Sequence, residues 1–192
     1  MTRLILASQS PRRRALLERM GLSFDTDAPD VDETCSLSAR EAVLSVSRRK
    51  ASACAAAHPG CYILAADTLV SFEGSSLGKP ANEKDAVRML HMLSGRTHQV
   101  YTGVTVISPK GEMLSEVDRT DVTFAPLSDE EILSYVRSGE PMDKAGAYAL
   151  QGRASMWIEH LNGSDTSVIG LPLCLVRCLL NRAGFSLQQG TN

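Results

Sequence analysis

The first twenty residues constrain the fold of this chain more than any other stretch. Residues 4–7 form a short apolar run that is typical of a buried strand, and a helix start follows it. Ser10 suits the N-cap, Pro11 suits the first helical position, and Gly21 suits the end of the helix. The sequence therefore predicts a strand that leads through a short turn into a helix.

The charge of this helix start is unusual. A first helical turn carries a partial positive charge and favours Asp or Glu, yet here it holds Arg12, Arg13 and Arg14. Free backbone N–H groups and guanidinium groups together suit phosphate oxygens, so the pattern predicts an anion site. Successive helical residues point about 100° apart, and we therefore assign Arg12 and Arg13 to the ligand and Arg14 to solvent. The alternative is an exposed basic helix end without a ligand.

A second apolar run, residues 62–66, predicts a buried strand with Asp67 and Thr68 at its carboxyl end. A carboxylate that emerges from so apolar a run is costly unless a cation or a metal pairs with it. Beside phosphates it would serve as a base or a metal ligand. The alternative is that Asp67 accepts hydrogen bonds from a local turn.

Lys50 occupies the apolar face of a predicted helix. Ser38 and Glu41 have the spacing of a capping box, and the helix that they open runs to about residue 58. Lys50 lies four residues after Val46 and seven after Val43, on the buried stripe. Its ammonium either reaches into a cleft shared with the arginines or extends to the edge of the core.

The composition excludes several classes of protein. The 192 residues have a net charge of −2 and are 43% hydrophobic, which is ordinary for a globular protein and argues against general nucleic-acid binding. No apolar stretch reaches the length of a signal peptide or of a membrane span. We therefore expect a single domain over residues 1–192, located in the cytoplasm, without a nucleic-acid or membrane partner.

Residue types that bind metals indicate one candidate magnesium ligand and no zinc-type spacing. Residues 27–33 are acidic, and one of these carboxylates is a candidate ligand for Mg²⁺, which takes few protein ligands at phosphate sites. The five cysteines form no CxxC pair and the four histidines are scattered, so the sequence predicts neither a zinc site nor a histidine cluster.

The second half of the chain adds strands and further polar candidates. Residues 97–107 and 112–124 predict a β-hairpin. Lys79 follows a glycine and serine turn, and residues 143–152 are mostly small, as where backbone approaches a ligand or a strand. Within that segment Gln151 carries an amide that can read the edge of a base.

Taken in order, these motifs resemble the Maf family of nucleoside triphosphate pyrophosphatases over nearly the whole chain. The shared motifs are LASQSPRR at 6–13, PDVDE at 29–33, LAADTLV at 64–70, LGKP at 77–80, LSGRTHQVYTGV at 93–104, DKAGAYALQG at 143–152 and VIGLP at 168–172. The resemblance implies an α/β fold with a long, mixed, twisted sheet flanked by helices. It also implies two lobes with a central cleft, similar to the inosine triphosphatases.

The resemblance further implies hydrolysis between the α- and β-phosphates with a divalent cation, Mg²⁺ or Mn²⁺. Asp67 matches the family's proton acceptor, and our hypothesis is that Asp67 and Glu33 bind the metal. Base selection and the phosphate cleft are implied by two further groups of positions: Arg12, Thr68 and Gln151 for the base, and Ser8, Arg13, Lys50 and Lys79 for the phosphates.

The segment with Gln151 resembles the branch that acts on dTTP and UTP, with CTP and modified pyrimidine nucleotides as further candidates. Two alternatives stay open at this point: a 7-methyl-GTP pyrophosphatase, and a non-catalytic nucleotide-binding regulator of septum formation. The family also suggests a homodimer. Ala66 and Gly78 depart from residues common in the family, which leaves the width of the cleft open.

Overall fold

The computed structural model describes residues 3–187 and shows a mixed α/β architecture. Seven strands form one sheet in the order β2-β1-β3-β5-β6-β7, and β4 pairs with β3. The strands are β1 Leu4–Leu6, β2 Asp25–Thr26, β3 Tyr62–Phe72, β4 Ser75–Leu77, β5 Thr97–Ile107, β6 Met113–Phe124 and β7 Ile158–Asn162. β1 runs parallel to β2 and β3, whereas every other pair is antiparallel, so the predicted mixed sheet is confirmed.

Six α-helices in the described part of the chain flank this sheet. They are α1 Pro11–Glu18, α2 Ala39–Ala57, α3 Glu83–Leu93, α4 Asp129–Arg137, α5 Asp165–Ile169 and α6 Leu173–Arg182. The predicted helix starts are confirmed: the Ser10 side chain accepts a hydrogen bond from the backbone N–H of Arg13, and that of Ser38 accepts one from Glu41. Three short 3-10 helices, Glu140–Asp143, Ala145–Ala147 and Arg153–Trp157, connect α4 to β7.

Successive residues of a strand face opposite sides of the sheet, and helices cover both sides of β3, which explains its continuous apolar run. Leu64 and Ala66 of β3 pack with α1 and α6 on one face of the sheet, and Ile63 and Ala65 pack with α2 on the other. A further apolar cluster, around Phe72, Leu90 and Tyr135, lies under α3 and α4. Burial on both faces requires apolar residues at every position. The division into two lobes stays a prediction.

The strand prediction for residues 62–66 is wrong about its end. β3 continues to Phe72, so Asp67 lies in the middle of the strand and not at its carboxyl end. The strand continues because β5 pairs with it from Ile63 to Ser71, which satisfies the backbone on either side of the carboxylate. The strand that ends near Asp67 is its parallel neighbour β1, which stops at Leu6.

Gly103 of β5 lets helix α2 approach the sheet. It pairs directly with Asp67, and a Cβ atom added there would lie 2.4 Å from the backbone carbonyl oxygen of Val43 in α2. On the same helix the Ser47 hydroxyl contacts the Thr105 hydroxyl of β5 at 2.9 Å. The absence of a side chain at residue 103 therefore sets the distance between α2 and the strand that carries Asp67.

We expect Gly103→Ala to lower the free energy of unfolding by at least about 2 kcal/mol, because a helix backbone cannot rotate away from the added methyl group. Urea denaturation measures the change. Gly78→Ala is the matched control, since a Cβ atom at residue 78 has no neighbour within 4 Å and its φ angle is not in the left-handed region. Equal stabilities of the two variants would contradict this account of the contact.

Candidate active site

Asp67 and Thr68 direct their side chains to opposite faces of the sheet, as neighbours on a strand must. Asp67 shares the face of Ala65, against α2, and Thr68 shares the face of Ala66, against α1. Both residues nevertheless line one cleft, because β1 ends at Leu6 and leaves this part of β3 without a parallel neighbour.

The carboxylate of Asp67 is buried and paired with Lys50. Its Oδ1 atom lies 2.9 Å from the Lys50 Nζ atom, and both side chains are 12% exposed. The same ammonium lies 2.8 Å from Oε1 of Glu33, whose side chain is 62% exposed. The alternative in which Lys50 only extends to the edge of the core is wrong, because its ammonium joins two carboxylates inside the cleft.

The pKa of Asp67 is raised from its ordinary value of 3.8, chiefly because burial disfavours the charged form. The positive charges of Lys50 and Arg13 act in the opposite direction. A carboxylate with a raised pKa and an adjacent cation is well suited to accept a proton, and it is also a candidate metal ligand. The alternative in which Asp67 only caps a local turn is therefore not supported by its contacts.

Arg13 is held by three neutral oxygen atoms. Its guanidinium donates to the carbonyl oxygen of Gly170 at 2.8 Å, to the hydroxyl of Thr68 at 3.2 Å and to the hydroxyl of Ser8 at 3.3 Å. Within residues 3–187 no carboxylate forms a salt bridge with it, and burial lowers its pKa. A positioned cation without a bonded counter-charge is a favourable site for an anion.

The Thr68 hydroxyl is itself positioned by a second hydroxyl. It lies 2.9 Å from the hydroxyl of Thr102 on β5, which donates to the carbonyl oxygen of Ser167 at 2.9 Å. This buried series of contacts connects the Arg13 guanidinium to the segment that contains α5. The sequence analysis did not identify Thr102 or Ser167, because the hydroxyls of a strand and a distant short helix meet only in the folded chain.

All nine predicted site residues line the same cleft, which has a volume of about 940 Å³. Arg12 is partly exposed, and Lys79 and Gln151 are exposed at the cleft surface, so their side chains are accessible to a ligand. Arg14 instead pairs with Glu18 on the exterior at 3.0 Å, in agreement with its assignment to solvent. The nine residues are Ser8, Arg12, Arg13, Glu33, Lys50, Asp67, Thr68, Lys79 and Gln151.

The segment with Gln151 is shaped by close backbone approaches, as its small residues predict. Gly146 has a φ angle of 68°, and a Cβ atom there would lie 3.0 Å from the side chain of Val70 on β3. Glu140, which the sequence analysis missed, accepts hydrogen bonds from the backbone N–H of Arg153 and from the Tyr135 hydroxyl, each at 3.0 Å. These contacts fix the turn on both sides of Gln151.

The donor set of the cleft fits a hard divalent cation. The carboxylates of Glu33 and Asp67 lie close together, since one oxygen atom of each contacts the Lys50 ammonium. Oxygen ligands of this kind suit Mg²⁺ and Mn²⁺, which bind through one or two carboxylates and the phosphates of a substrate.

The folded chain also brings together residues that the sequence analysis separated. Asp27, Cys54 and His58 have ligand-type atoms that all lie within 4.8 Å of one another, although the sequence predicts no such cluster. Spacing along the chain could not reveal this group, because Asp27 reaches α2 from a distant loop. None of the three residues lines the cleft.

Among the described residues, no helix is both long enough and apolar enough to cross a bilayer.

We expect the wild type to lose stability relative to Asp67→Asn as the pH rises from about 4 towards neutrality. With a raised pKa, native Asp67 keeps its proton to higher pH than the unfolded chain does, so deprotonation favours unfolding. Urea denaturation of both proteins across this range measures the difference. Asp32→Asn is the control. Because the backbone N–H of Thr34 lowers the pKa of Asp32, the stability of the wild type relative to this variant should rise with pH. Parallel pH curves for the wild type and Asp67→Asn would contradict the prediction.

Comparison with known proteins identifies a matching family model and similar relatives. Residues 3–183 match the family model described as Maf-like protein. A Bacillus thuringiensis protein named dTTP/UTP pyrophosphatase is 46% identical over 175 residues, which are 90% of this chain and 91% of that protein. A Bacillus mycoides protein of the same name is 47% identical over 180 residues, which are 92% of this chain and 94% of that one.

The fold is also similar to a solved structure, that of the Staphylococcus aureus Ham1 protein. The TM-score is 0.56 at 15% identity, and the match covers 94% of this chain and 99% of that one. At this identity the likeness concerns the fold alone. With the family model matched over residues 3–183 and relatives similar over most of their length, this chain belongs to the Maf-like protein family.

Proposed function

We propose that this protein is a nucleoside triphosphate pyrophosphatase that hydrolyses dTTP and UTP to the monophosphate and pyrophosphate. The observation that carries the proposal is that one cleft is lined by a buried carboxylate, Asp67, and by an oriented guanidinium without a bonded carboxylate, Arg13. The names of the Bacillus relatives support both the reaction and the pyrimidine substrates.

The mechanism follows from the positions of the charges. A water molecule attacks the α-phosphorus, and Asp67 accepts its proton as the new oxygen–phosphorus bond forms. The bond from the α-phosphorus to the bridging oxygen breaks, and pyrophosphate leaves with the electron pair. Arg13, Lys50 and Lys79 stabilise the negative charge that grows on this leaving group.

A divalent cation, Mg²⁺ or Mn²⁺, would be held by Glu33 and Asp67. When bound, it would neutralise phosphate charge and polarise the phosphorus–oxygen bonds. Lys50 contacts both carboxylates at 2.8 and 2.9 Å, so it would orient them and limit their mutual repulsion.

Base selection is assigned to the exposed end of the cleft. Gln151 offers an amide donor and an amide acceptor, and Arg12 lies on the first turn of α1 beside the phosphate site. Thr68 is assigned to the same group by family resemblance, although its hydroxyl contacts Arg13, which supports a positioning role.

Organisation as one domain over residues 1–192, a cytoplasmic location, a homodimer and the absence of a nucleic-acid partner stay predictions. The net charge of −2 supports the last of these, because a nucleic-acid surface is normally basic.

The proposal is tested by pyrophosphate release from dTTP, UTP, CTP, 5-methyl-UTP, GTP and 7-methyl-GTP, with Mg²⁺ or Mn²⁺. We expect turnover of dTTP and UTP, and a loss of about 10²- to 10⁴-fold in Asp67→Asn, since the amide cannot accept the proton. Asp25→Asn is the control, because Asp25 forms only a surface ion pair with Arg3.

Full activity of Asp67→Asn would disprove the assignment of the proton acceptor. Turnover of 7-methyl-GTP alone would disprove the base preference and keep the reaction. Nucleotide binding without turnover of any substrate would favour the non-catalytic regulator.

We expect Arg13→Lys to lower kcat/KM for dTTP by about 10- to 100-fold, which corresponds to the free energy of one hydrogen bond to a charged group. A lysine ammonium cannot reproduce the planar group that contacts three oxygen atoms and the anion together. Arg14→Lys is the matched control on the neighbouring residue, and its kinetics should equal those of the wild type. Equal kinetics for both variants, with unchanged thermal stability, would exclude Arg13 from the phosphate site.

A further inference from the structure

A second group of metal-ligating side chains lies behind the cleft, at the C-terminal end of α2. His58 Nε2 lies 2.6 Å from Oδ2 of Asp27, and the sulfur of Cys54 lies 3.8 Å from the carbonyl oxygen of the same aspartate. Cys54 is fully buried, whereas the side chains of His58 and Asp27 are 29% and 47% exposed. One ligand atom from each residue lies within 4.8 Å of the other two.

Two elements hold these residues together. Cys54 and His58 are four residues apart at the end of α2, so they occupy the same face of the helix. Asp27 follows β2, and its backbone N–H donates to the carbonyl oxygen of Leu6 at 3.2 Å. The backbone of the fold therefore fixes the cluster from both sides.

The chemistry of this donor set differs from that of the cleft. A thiolate, an imidazole and a carboxylate are the three ligand types of Zn²⁺, whereas Mg²⁺ requires oxygen ligands. With bond lengths of about 2.0–2.3 Å, a tetrahedral ion would separate its ligand atoms by about 3.3–3.7 Å. Small movements of the side chains, chiefly of the partly exposed Asp27 and His58, would bring the present distances between ligand atoms to these values.

The electrostatic environment also suits a cation. The carbonyl groups at the C-terminal end of a helix carry a partial negative charge, and His58 is the C-cap of the 19-residue helix α2. Burial and the neighbouring Asp27 raise the pKa of the Cys54 thiol to about 11, so an ion binds with loss of the thiol proton. The resulting thiolate and the carboxylate supply two negative charges, which a divalent ion neutralises.

We propose that Asp27, Cys54 and His58 form a zinc-type divalent cation site with three protein ligands and an open fourth position, separate from the catalytic cleft. Lys50, Cys54 and His58 follow one another at intervals of four residues on the same face of α2. Asp27 begins the acidic segment that ends at Glu33, which contacts Lys50. A bound ion would therefore join this segment to the helix and restrict the position of Glu33.

The test is a Co²⁺ titration of the metal-free full-length protein in the presence of excess Mg²⁺, which occupies oxygen sites. We expect the near-ultraviolet charge-transfer absorption that a cobalt–thiolate bond produces, at one equivalent of Co²⁺. The band should persist in Asp67→Asn, because the cleft carboxylate takes no part. Zn²⁺ should displace Co²⁺ and raise the thermal midpoint of the wild type.

Cys54→Ser should abolish the band, and His58→Gln should weaken Co²⁺ binding about tenfold or more. Because Cys54 is buried and its variant could fail to fold, the exposed His58 provides the second, independent test. The matched controls are Cys174→Ser, which removes an exposed thiol, and His91→Gln, whose imidazole lies 3.7 Å from Asp129 on the surface.

Three results would overturn the proposal. These are the absence of a thiolate band in the folded wild type, a band that Cys174→Ser removes, and equal Co²⁺ affinity in His58→Gln and His91→Gln. Each result is independent of nucleotide turnover, so a failure of the proposed metal site is distinguishable from a failure of the proposed enzyme.

Discussion

The buried carboxylate of Asp67 is the constraint on which the rest of the site depends. An ionised group in the middle of a strand, at 8% exposure, would be unfavourable without nearby cations. Lys50 forms a direct ion pair with it, and the Arg13 charge acts from the other face of the sheet. Loss of one partner from a buried pair of this kind costs about 3–5 kcal/mol, so the pair favours the observed packing of α2 against β3.

The geometry around the carboxylate results from two features of the sheet. Gly103 pairs with Asp67 and admits the backbone of α2, which brings Lys50 within bonding distance. The early end of β1 leaves an opening beside β3, into which both faces of that strand contribute a polar side chain. A cleft with a buried carboxylate on one side and a guanidinium on the other follows from these two backbone features.

Arg13 shows how the site keeps charge available for a ligand. Three neutral oxygen atoms orient its guanidinium, and its positive charge is not cancelled by a bonded carboxylate. Burial disfavours this charge and lowers the pKa of the group. In the proposed function a bound anion would supply the missing charge, so the binding energy of the substrate would offset the cost of burying the guanidinium.

Local patterns in the sequence determined much of the architecture. The helix caps at Ser10 and Ser38, the apolar runs of β1 and β3 and the hairpin of β5 and β6 depend on neighbours in sequence, and they formed as expected. The types of residue in the cleft could also be predicted from the sequence. Three arginines at a helix start and a carboxylate after an apolar run both contradict the residue preferences of those positions.

Tertiary structure alone decided which groups meet. The end of β3 depends on pairing with β5. The oxygen atoms that orient Arg13 come from Thr68 and Gly170, which are distant in sequence. Glu140, in a separate short helix, positions the turn that contains Gln151. The cluster of Asp27, Cys54 and His58 shows the same limit, since its members are scattered in the chain. Periodicity encodes the conformation of each segment, whereas contacts across the sheet depend on how segments pack, and no local pattern carries that information.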